Sequence, residues 1–564
     1  MKVTFLGHAG LFIETRHGSI LCDPWFNPAY FASWFPFPRN DGLDLERFRR
    51  PDYLCCSHLH RDHFDPQFLA EHVDKSATVI LPDYPLGLLE DSYRALGFTD
   101  FVKTRNGEPI QLDGLRVAIT ALVAPTDGPI GDSSLVVDDG TACILNQNDS
   151  RPVDLERMAG LGPFDGHFLQ FSGAIWFPFV YQYPPAMMEA LARKKRTTQM
   201  ERALRFVQEV DARWVVPSAG PPCFLDEGLF HLNDLERAPD NIFPDQTVFL
   251  DLMRERGLRN GRLVVPGTEI TFEDGSCGIA HPMPEAEVAR IFSHKREYLT
   301  AYQADERPRI EALKATWPHG QVDIVAELKD WFEPLLAKAD ITCAGIGGVV
   351  VLDLGDVGVA IDFHRRTVES WTGEEPGQGP AQESGGERSE EPGQAWSYYF
   401  KFDRAPVEDC VVNHREDWVN SLFLSCRFEA RRNGPYNEYV YNFFKCLSME
   451  RLQYAEGYYA EQSPVDQFWE SGGYRIQRRC PHLKADLTKF AQIEDGVLTC
   501  TLHGWQFELE TGRCLTSDDR RLYARPLGEV GQKAGAHPPA AGATIRTQCD
   551  HCLYQKPVRD GKLG

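Results

Sequence analysis

The sequence predicts an α/β chain of several domains: a layered N-terminal sandwich of mixed sheets, an α+β middle region and an all-β C-terminal domain. Three observations predict it. Over the first 230 or so residues, short β-rich runs (Val3–Phe5, Ser19–Cys22, Tyr53–Ser57, Ala77–Leu81, Leu115–Leu122, Ser134–Val137, Ala142–Leu145) alternate with a few helical patterns. Turns as short as Arg16–Gly18 join neighbouring runs, so the sheets are packed and mixed rather than purely parallel. Second, Thr372–Gln394 is built from Gly, Pro, Glu and Gln with almost nothing apolar, cannot offset its ordering entropy, and reads as a disordered insert. Third, residues 460–527 return to short β-rich runs.

The elements follow in order. Pro185–Asp211 reads as one long helix carrying the basic segment Arg193–Lys194–Lys195–Arg196. Residues 231–371 are mixed α/β, order resumes at Trp396–Phe402, and aromatic-rich helical patterns run through Tyr436–Tyr459. The expected divisions are 1–230, 231–459 with the insert 372–394, 460–527, and a flexible tail 528–564. A length of 564 residues requires such a division, since single cores stop growing well below it.

Composition narrows the function classes. Apolar residues make up 42% and charged residues 25%, as in a globular protein, and no apolar run reaches the roughly 18 residues of a membrane span. The opening MKVTFLGHAG lacks the basic-then-apolar layout of a secretion signal, so a cytoplasmic location is expected. A net charge of −23 excludes nucleic acid and anionic membranes as partners. It leaves room for a small anionic substrate, because a local Arg/Lys cluster prevails within a Debye length. Fifteen cysteines, an odd number spread along the chain, point to reduced thiols and metal ligands rather than a disulfide framework.

Two constellations carry chemistry. Cys480–Pro–His482 is followed, 17 residues on, by Cys500–Thr–Leu–His503–Gly–Trp505. Two loops, each offering a thiolate and an imidazole, suit a Rieske [2Fe–2S] centre, in which the cysteines hold one iron and the histidines the other. Zinc is the competing ion for two Cys and two His, but the order and the trailing Gly-Trp resemble the Rieske family. Lys484 departs from the glycine common there, and the lone Cys549–Cys552 pair reads as part of the tail.

Upstream, Ser57–His58–Leu–His60–Arg–Asp62–His63 ends an apolar run, packing four ligand-type side chains into one turn, which a structural protein would have to satisfy at high cost. This motif resembles the metallo-β-lactamase superfamily. The resemblance implies an αββα sandwich, and places a bridging carboxylate at Asp149 of Asn146–Gln–Asn–Asp149. Two further histidines usual in hydrolases of that fold are missing from Ala121–Pro125 and Val216–Gly220, leaving His167 and His231 as candidates to replace them. His58, His60 and Asp149 would give a two-His, one-carboxylate face suited to non-haem iron, with Asp62 and His63 as further ligands or proton-handling groups; a two-metal site sharing Asp149 stays open. His8 and Asp23 are expected to orient ligands rather than bind metal, with His8 counted among the catalytic residues beside Asp62 and His63.

Longer strings resemble a narrower family: NPAYFASWFPFP (27–38), DGPIGDS (127–133), FSGAIWFP (171–178), VVPSAGPPCFL (215–225), GPYNEY (434–439) and IQRRCPHLKADL (476–487). They are similar to the UDP-N-acetylmuramic acid hydroxylases of mycobacteria and, more distantly, to the CMP-N-acetylneuraminic acid hydroxylases. What this implies is a monooxygenase converting UDP-N-acetylmuramate to the N-glycolyl form with O2, for peptidoglycan. Its electrons would come from NAD(P)H through a separate ferredoxin or reductase, since no Gly-rich dinucleotide fingerprint follows a strand. Arg151 and the Arg193, Lys194, Lys195, Arg196 segment would meet the anionic substrate. CMP-N-acetylneuraminate as substrate, and a metal hydrolase with a redox-sensing Rieske domain, are the alternatives. Electron transfer between subunits of a homo-oligomer is compatible with either.

Overall fold

Alternation of apolar side chains along each strand sets the architecture. In the strands Lys2–Gly7, Gly10–Thr15, Gly18–Cys22 and Thr78–Leu81, the residues Val3, Phe5, Leu11, Ile13, Ile20, Cys22 and Ile80 face one core. Leu6, Phe12, Leu21, Val79 and Leu81, one position out of phase, face another. Two buried faces require layers on both sides, and a second sheet and a set of helices supply them.

The computed structural model describes residues 1–173, 175–233, 235, 242–373, 396–460, 467–517 and 520–527. Its first sheet runs, edge to edge, Ser276–Ala280, Glu269–Glu273, Lys2–Gly7, Gly10–Thr15, Gly18–Cys22, Tyr53–Cys55, Thr78–Leu81 and Phe101–Lys103. The second runs Trp214–Ser218, Gly166–Gln170, Cys143–Asn148, Asp132–Asp138, Leu115–Leu122 and Ile110–Leu112. Val117, Ile119, Val137, Ile144, Phe168 and Val216 of the second pack against the Val3–Phe5 face of the first. The helices Pro66–His72 and Leu88–Ala95 supply Phe68, Leu69, Leu89 and Tyr93 to the opposite face. The sandwich is thus the expected αββα layering, and the strand at Leu115–Leu122 has the predicted bounds.

One expectation is corrected. A boundary at 230 would cut the first sheet, because Glu269–Glu273 pairs antiparallel with Lys2–Thr4 and carries Ser276–Ala280 outside it. The long helix is present at Pro185–Val210, closed by Asp211 in the left-handed conformation. Further on, a five-stranded sheet (Thr367–Ser370, Gly358–Asp362, Val349–Asp353, Trp396–Phe402, Phe428–Arg432) packs an aromatic core in which Phe400, Phe423, Phe428, Tyr441 and Phe444 meet edge-on or tilted. The residues divide into two compact units, Met1–Arg431 with Tyr439–Ala460, and Arg432–Glu438 with Glu461–Gly564. Within the second, two three-stranded sheets form: Phe468–Ser471, Tyr474–Gln477 and Ala524–Pro526, then Ala491–Glu494, Val497–Cys500 and Trp505–Glu508. The insert beyond Gly373, the tail 528–564 and the Cys549–Cys552 pair lie outside the described residues. No helix of the described residues is long and apolar enough to cross a membrane.

Candidate metal centres

The strands Lys2–Gly7, Gly18–Cys22 and Tyr53–Cys55 point the same way, so the residues after each (His8, Asp23 and Ser57–His63) collect at one edge of the first sheet. The strand Cys143–Asn148 ends there too and delivers Asp149 from the second sheet. A register shift between Asn146 and Asn148, with Asn148 at φ +44°, turns the chain inward. Asn148 fixes that turn by accepting from the backbone N–H groups of Asp149 and Ser150.

Two groups of donor atoms result: His8, Asp62 and His63 in one, His58, His60 and Asp149 in the other, with the atoms of each within 4.8 Å of one another. Asp149 stands between them, its Oδ2 3.5 Å from His63 Nε2 and 3.8 Å from His58 Nε2. Hydrogen bonds at the back of each ring set its tautomer. Nδ1–H of His8 donates to the Gly220 carbonyl at 2.8 Å, leaving Nε2 aimed 3.0 Å from Asp62 Oδ2. Ser57 Oγ sits 2.8 Å from His58 Nδ1 and 3.2 Å from His63 Nδ1, and itself donates to Asp23. Nε2 of His60 donates to Asn420 Oδ1 at 2.7 Å, leaving Nδ1 facing His58.

The electrostatics suit a cation. Asp23, Asp62 and Asp132 are buried and Asp149 nearly so. Burial holds His58 well below the usual imidazole range and His60 below it, so neither is a ready counter-charge. Burial also opposes charge on His63, but Asp149 and Asp62 outweigh it and hold that ring well above its usual range. Asp132 is pushed up by burial and by Asp149. Nε2 of His8, Nε2 of His63 and Oδ1 of Asp149 are buried with no hydrogen-bond partner. Three unmet atoms among six converging imidazole and carboxylate side chains fit one or two metal ions bound through nitrogen and oxygen.

The surrounding structure holds these side chains in place. Tyr30 Oη donates to Asp62 Oδ1 at 2.6 Å from within Tyr30–Phe31–Ala32, three successive non-glycine residues with φ of +50°, +57° and +53°. Such a run is strained, and Arg427 holds it by donating to the Phe31 and Ala32 carbonyls while paired with Asp226. Gly128 (φ +43°) lies against His58, and a side chain there would meet the Gly131 carbonyl. Its own carbonyl accepts from Asn420 Nδ2 and from the buried ammonium of Lys445 at 2.8 Å.

In the second unit, Cys480, His482, Cys500 and His503 come from two loops beside the sheet edges. Both cysteines are fully buried, and the imidazoles of His482 and His503 lie with ring centres 5.1 Å apart. Trp505 stacks on His482 at 4.0 Å. Burial pushes the Cys480 thiol up, whereas a hydrogen bond from Cys480 and the nearby His503 draw the Cys500 thiol down. Nε2–H of His482 donates to Glu438 at 2.7 Å, while its buried Nδ1 has no partner. Two buried thiols beside an imidazole nitrogen that has no partner fit a [2Fe–2S] cluster.

Comparison with known proteins identifies the domains that carry these residues. Residues 465–522 match the Rieske [2Fe-2S] domain, residues 2–121 a beta-lactamase superfamily domain, and residues 324–378 and 386–461 the Rv3818-like, SCP2-like domain. The Rieske 2Fe-2S iron-sulfur protein Rv3818 of Mycobacterium tuberculosis is 46% identical over 530 residues, 93% of this chain and 99% of that protein. The chain belongs to the Rv3818 family of Rieske iron–sulfur proteins. Among solved structures, the Igni18 metallo hydrolase of Ignicoccus hospitalis aligns at 19% identity and a TM-score of 0.34, over 48% of this chain and 98% of its own. CmlA, a diiron beta-hydroxylase of Streptomyces venezuelae, aligns at 18% and 0.31, over 48% of this chain and 54% of its own.

Within this family member, several expected residues fall elsewhere. His167 lies inside the second sheet, its Nε2–H donating to Gln147 Oε1 at 2.9 Å, and burial pushes it down to about 3. His231 is exposed on a short 3₁₀ turn. Neither joins a donor group, because a buried strand and a surface turn both carry them away from the strand ends. His8, expected to orient, offers a donor atom instead: the turn at Gly7–His8 (φ +107° and +51°) throws its ring over Asp62. Asp23 accepts from the backbone N–H and the hydroxyl of Ser57. Arg193 and Lys194 are exposed on the long helix, whereas Lys195, Arg196 and Arg151 are partly buried. Sequence reading missed Asn420 and Glu438. Asn420 stands in an ordinary-looking stretch, but Glu438 lies in GPYNEY, a string similar to the hydroxylases with no role attached.

Proposed function

We propose that the chain is a monooxygenase that hydroxylates the N-acetyl methyl of UDP-N-acetylmuramate. The reaction takes one O2, two electrons and two protons, places one oxygen atom in the new CH2OH group and releases the other as water. The observation that carries this reading is the presence in one chain of a one-electron cluster site and an imidazole–carboxylate metal site. A hydrolytic zinc centre needs no electrons, whereas oxygen activation at non-haem iron needs two, delivered singly. When bound, the iron would activate O2 and the [2Fe–2S] cluster would relay electrons that originate in NAD(P)H and arrive through a separate ferredoxin or reductase.

The chain's own residues then have defined work. His8, Asp62 and His63 would hold one metal, His58 and His60 a second, and Asp149 would bridge them. Tyr30, Ser57, Asp23 and Asn420 fix the direction of the donor atoms through the hydrogen bonds given above. Arg151 and the Arg193–Arg196 segment are the proposed contacts to the substrate's anionic groups. The testing experiment is product mass after incubating iron-loaded protein with UDP-N-acetylmuramate, O2, NADPH and a ferredoxin–reductase pair. A gain of one oxygen on the acetyl group, lost in His60→Ala and in Cys480→Ser, is expected. Oxidation of CMP-N-acetylneuraminate alone would move the reading to that sugar, and turnover without O2 by a zinc-loaded protein would overturn it.

A further inference from the structure

Lys445 carries a charge into the interior beside the N-terminal centre. It ends the helix Glu438–Lys445 and is 5% exposed. Its ammonium donates at 2.8 Å to the carbonyl of Gly128, a neutral acceptor rather than a carboxylate. Burial pulls the ammonium below the usual lysine range, with Asp417 opposing. Asp417 is itself engaged elsewhere, accepting from Asn420 at 2.8 Å and lying 3.3 Å from Arg451. Burying an ammonium on one neutral carbonyl is costly. For stability alone an apolar side chain of similar length would serve as well, because the amide of Asn420 also donates to that carbonyl, at 3.2 Å, and would keep it satisfied.

The place of that carbonyl matters to the donor atoms. Gly128 packs on the edge of His58: a side chain there would lie 3.4 Å from Cδ2 of the ring, the carbon next to Nε2. The same Asn420 that donates to Gly128 accepts from Nε2 of His60 at 2.7 Å. One carbonyl is thereby tied to both imidazoles of the donor group His58, His60 and Asp149. The loop that presents it is strained. Gly128, Ile130 and Gly131 have φ of +43°, +60° and +145°, and a β-branched residue at positive φ is unfavourable. Tyr454 secures the start of the loop by donating to the Val123 carbonyl at 2.6 Å, while Lys445 and Asn420 secure its middle. The other donor group, His8, Asp62 and His63, is set instead by Gly220, Tyr30 and Ser57.

We propose that Lys445 is a positioning residue for a metal ion held by His58, His60 and Asp149: by fixing the Gly128 carbonyl it holds both imidazoles in place for the ion. The matched region 386–461 thus supplies this centre with a charge as well as an amide, and gives up some stability to do so. The inference needs the metal but not the nucleotide-sugar reaction, so the two stand or fall separately.

Manganese(II) titration of the full chain carrying its cluster tests it, with the free ion followed by electron paramagnetic resonance. His60→Ala identifies the manganese bound through this donor group. That manganese should bind about tenfold or more weakly in Lys445→Met, at unchanged or higher thermal stability. Lys445→Arg, which keeps a charged donor for the Gly128 carbonyl, should recover most of the affinity. Glu408→Ala is the comparison. Glu408 is also fully buried, but it accepts from the backbone of Gly320 and Val322 and from Arg404. Its loss should lower thermal stability and change manganese affinity by less than about twofold. Wild-type affinity in Lys445→Met would overturn the proposal. So would an equal weakening in Glu408→Ala, because the metal would then report a general loosening of the fold. Weakened manganese binding in Lys445→Met, in a protein that hydroxylates no nucleotide sugar, keeps the positioning role and removes the reaction. Hydroxylation in a protein whose metal affinity ignores Lys445→Met does the reverse.

Discussion

The two centres solve the same problem, presenting unmet donor atoms to a metal, by different routes. The cluster ligands lie within 24 positions of one another on two loops, so local loop geometry sets most of their arrangement. The N-terminal centre draws His8, His58 to His63, Asp149 and the supporting Asn420 from four separate stretches spread over more than 400 positions. Only the packing of two sheets and the later five-stranded region brings those together. A site of the first kind should survive changes elsewhere in the chain, whereas a site of the second kind should fail whenever a remote support is lost.

The largest expected effect breaks the N-terminal centre alone. Asp149→Asn removes the carboxylate between the two donor groups, and we expect hydroxylation to fall by at least about a hundredfold. Bound metal beyond the cluster, measured by elemental analysis, should drop, while the electron paramagnetic resonance signal of the reduced cluster stays intact. Loss of that signal as well would mean the two centres fold as one, against the contrast drawn above. Next in size is Asn420→Ala. Without its acceptor, Nε2–H of His60 is no longer held, and metal affinity should fall by about 10- to 100-fold at unchanged thermal stability. Asn420→Asp should recover part of the affinity, because a carboxylate accepts the same hydrogen bond. Wild-type affinity in Asn420→Ala would show that His60 is oriented by its own loop.

This contrast also explains what could be read from sequence. Ligands clustered within one turn (His58, His60, Asp62, His63) or within two loops (Cys480, His482, Cys500, His503) advertise themselves by spacing. The strands were legible because their apolar residues alternate, as at Leu115–Leu122. Asn420 was not, because an asparagine 360 positions from its histidine partner carries no local pattern. The strand pair at Glu269–Ala280 was missed for the same reason, since nothing local states that it joins the first strand of the chain. His167 misled because a buried histidine on a strand looks like a ligand until its neighbours are known; here a glutamine satisfies it.

Within the cluster unit Glu438 is a distant support, and it sharpens the comparison. Its carboxylate is buried, held low despite that burial by His482 and Arg520, and accepts from the imidazole of His482. Negative charge behind a ligand favours the oxidised cluster, so Glu438→Gln should raise the midpoint potential by tens of millivolts while leaving cluster content unchanged. Loss of the cluster instead would place Glu438 among the structural requirements and make the second site as dependent on remote parts as the first.

The smallest effect tests the locality of the cluster loops directly. Lys484, where a glycine is common in similar loops, has φ +60° and closes a tight turn by donating its N–H to the Cys480 carbonyl at 3.0 Å. A side chain in this conformation costs about 1 kcal/mol, partly offset because glycine loses more entropy on folding. Lys484→Gly should therefore stabilise the loop by about 0.5 kcal/mol, read as a rise of a few degrees in the temperature at which the cluster's visible circular dichroism is lost. The N-terminal centre should not respond. A fall in that temperature would mean that the lysine stem packs against the loop strongly enough to outweigh its backbone strain, and that the departure from glycine is a stabilising one.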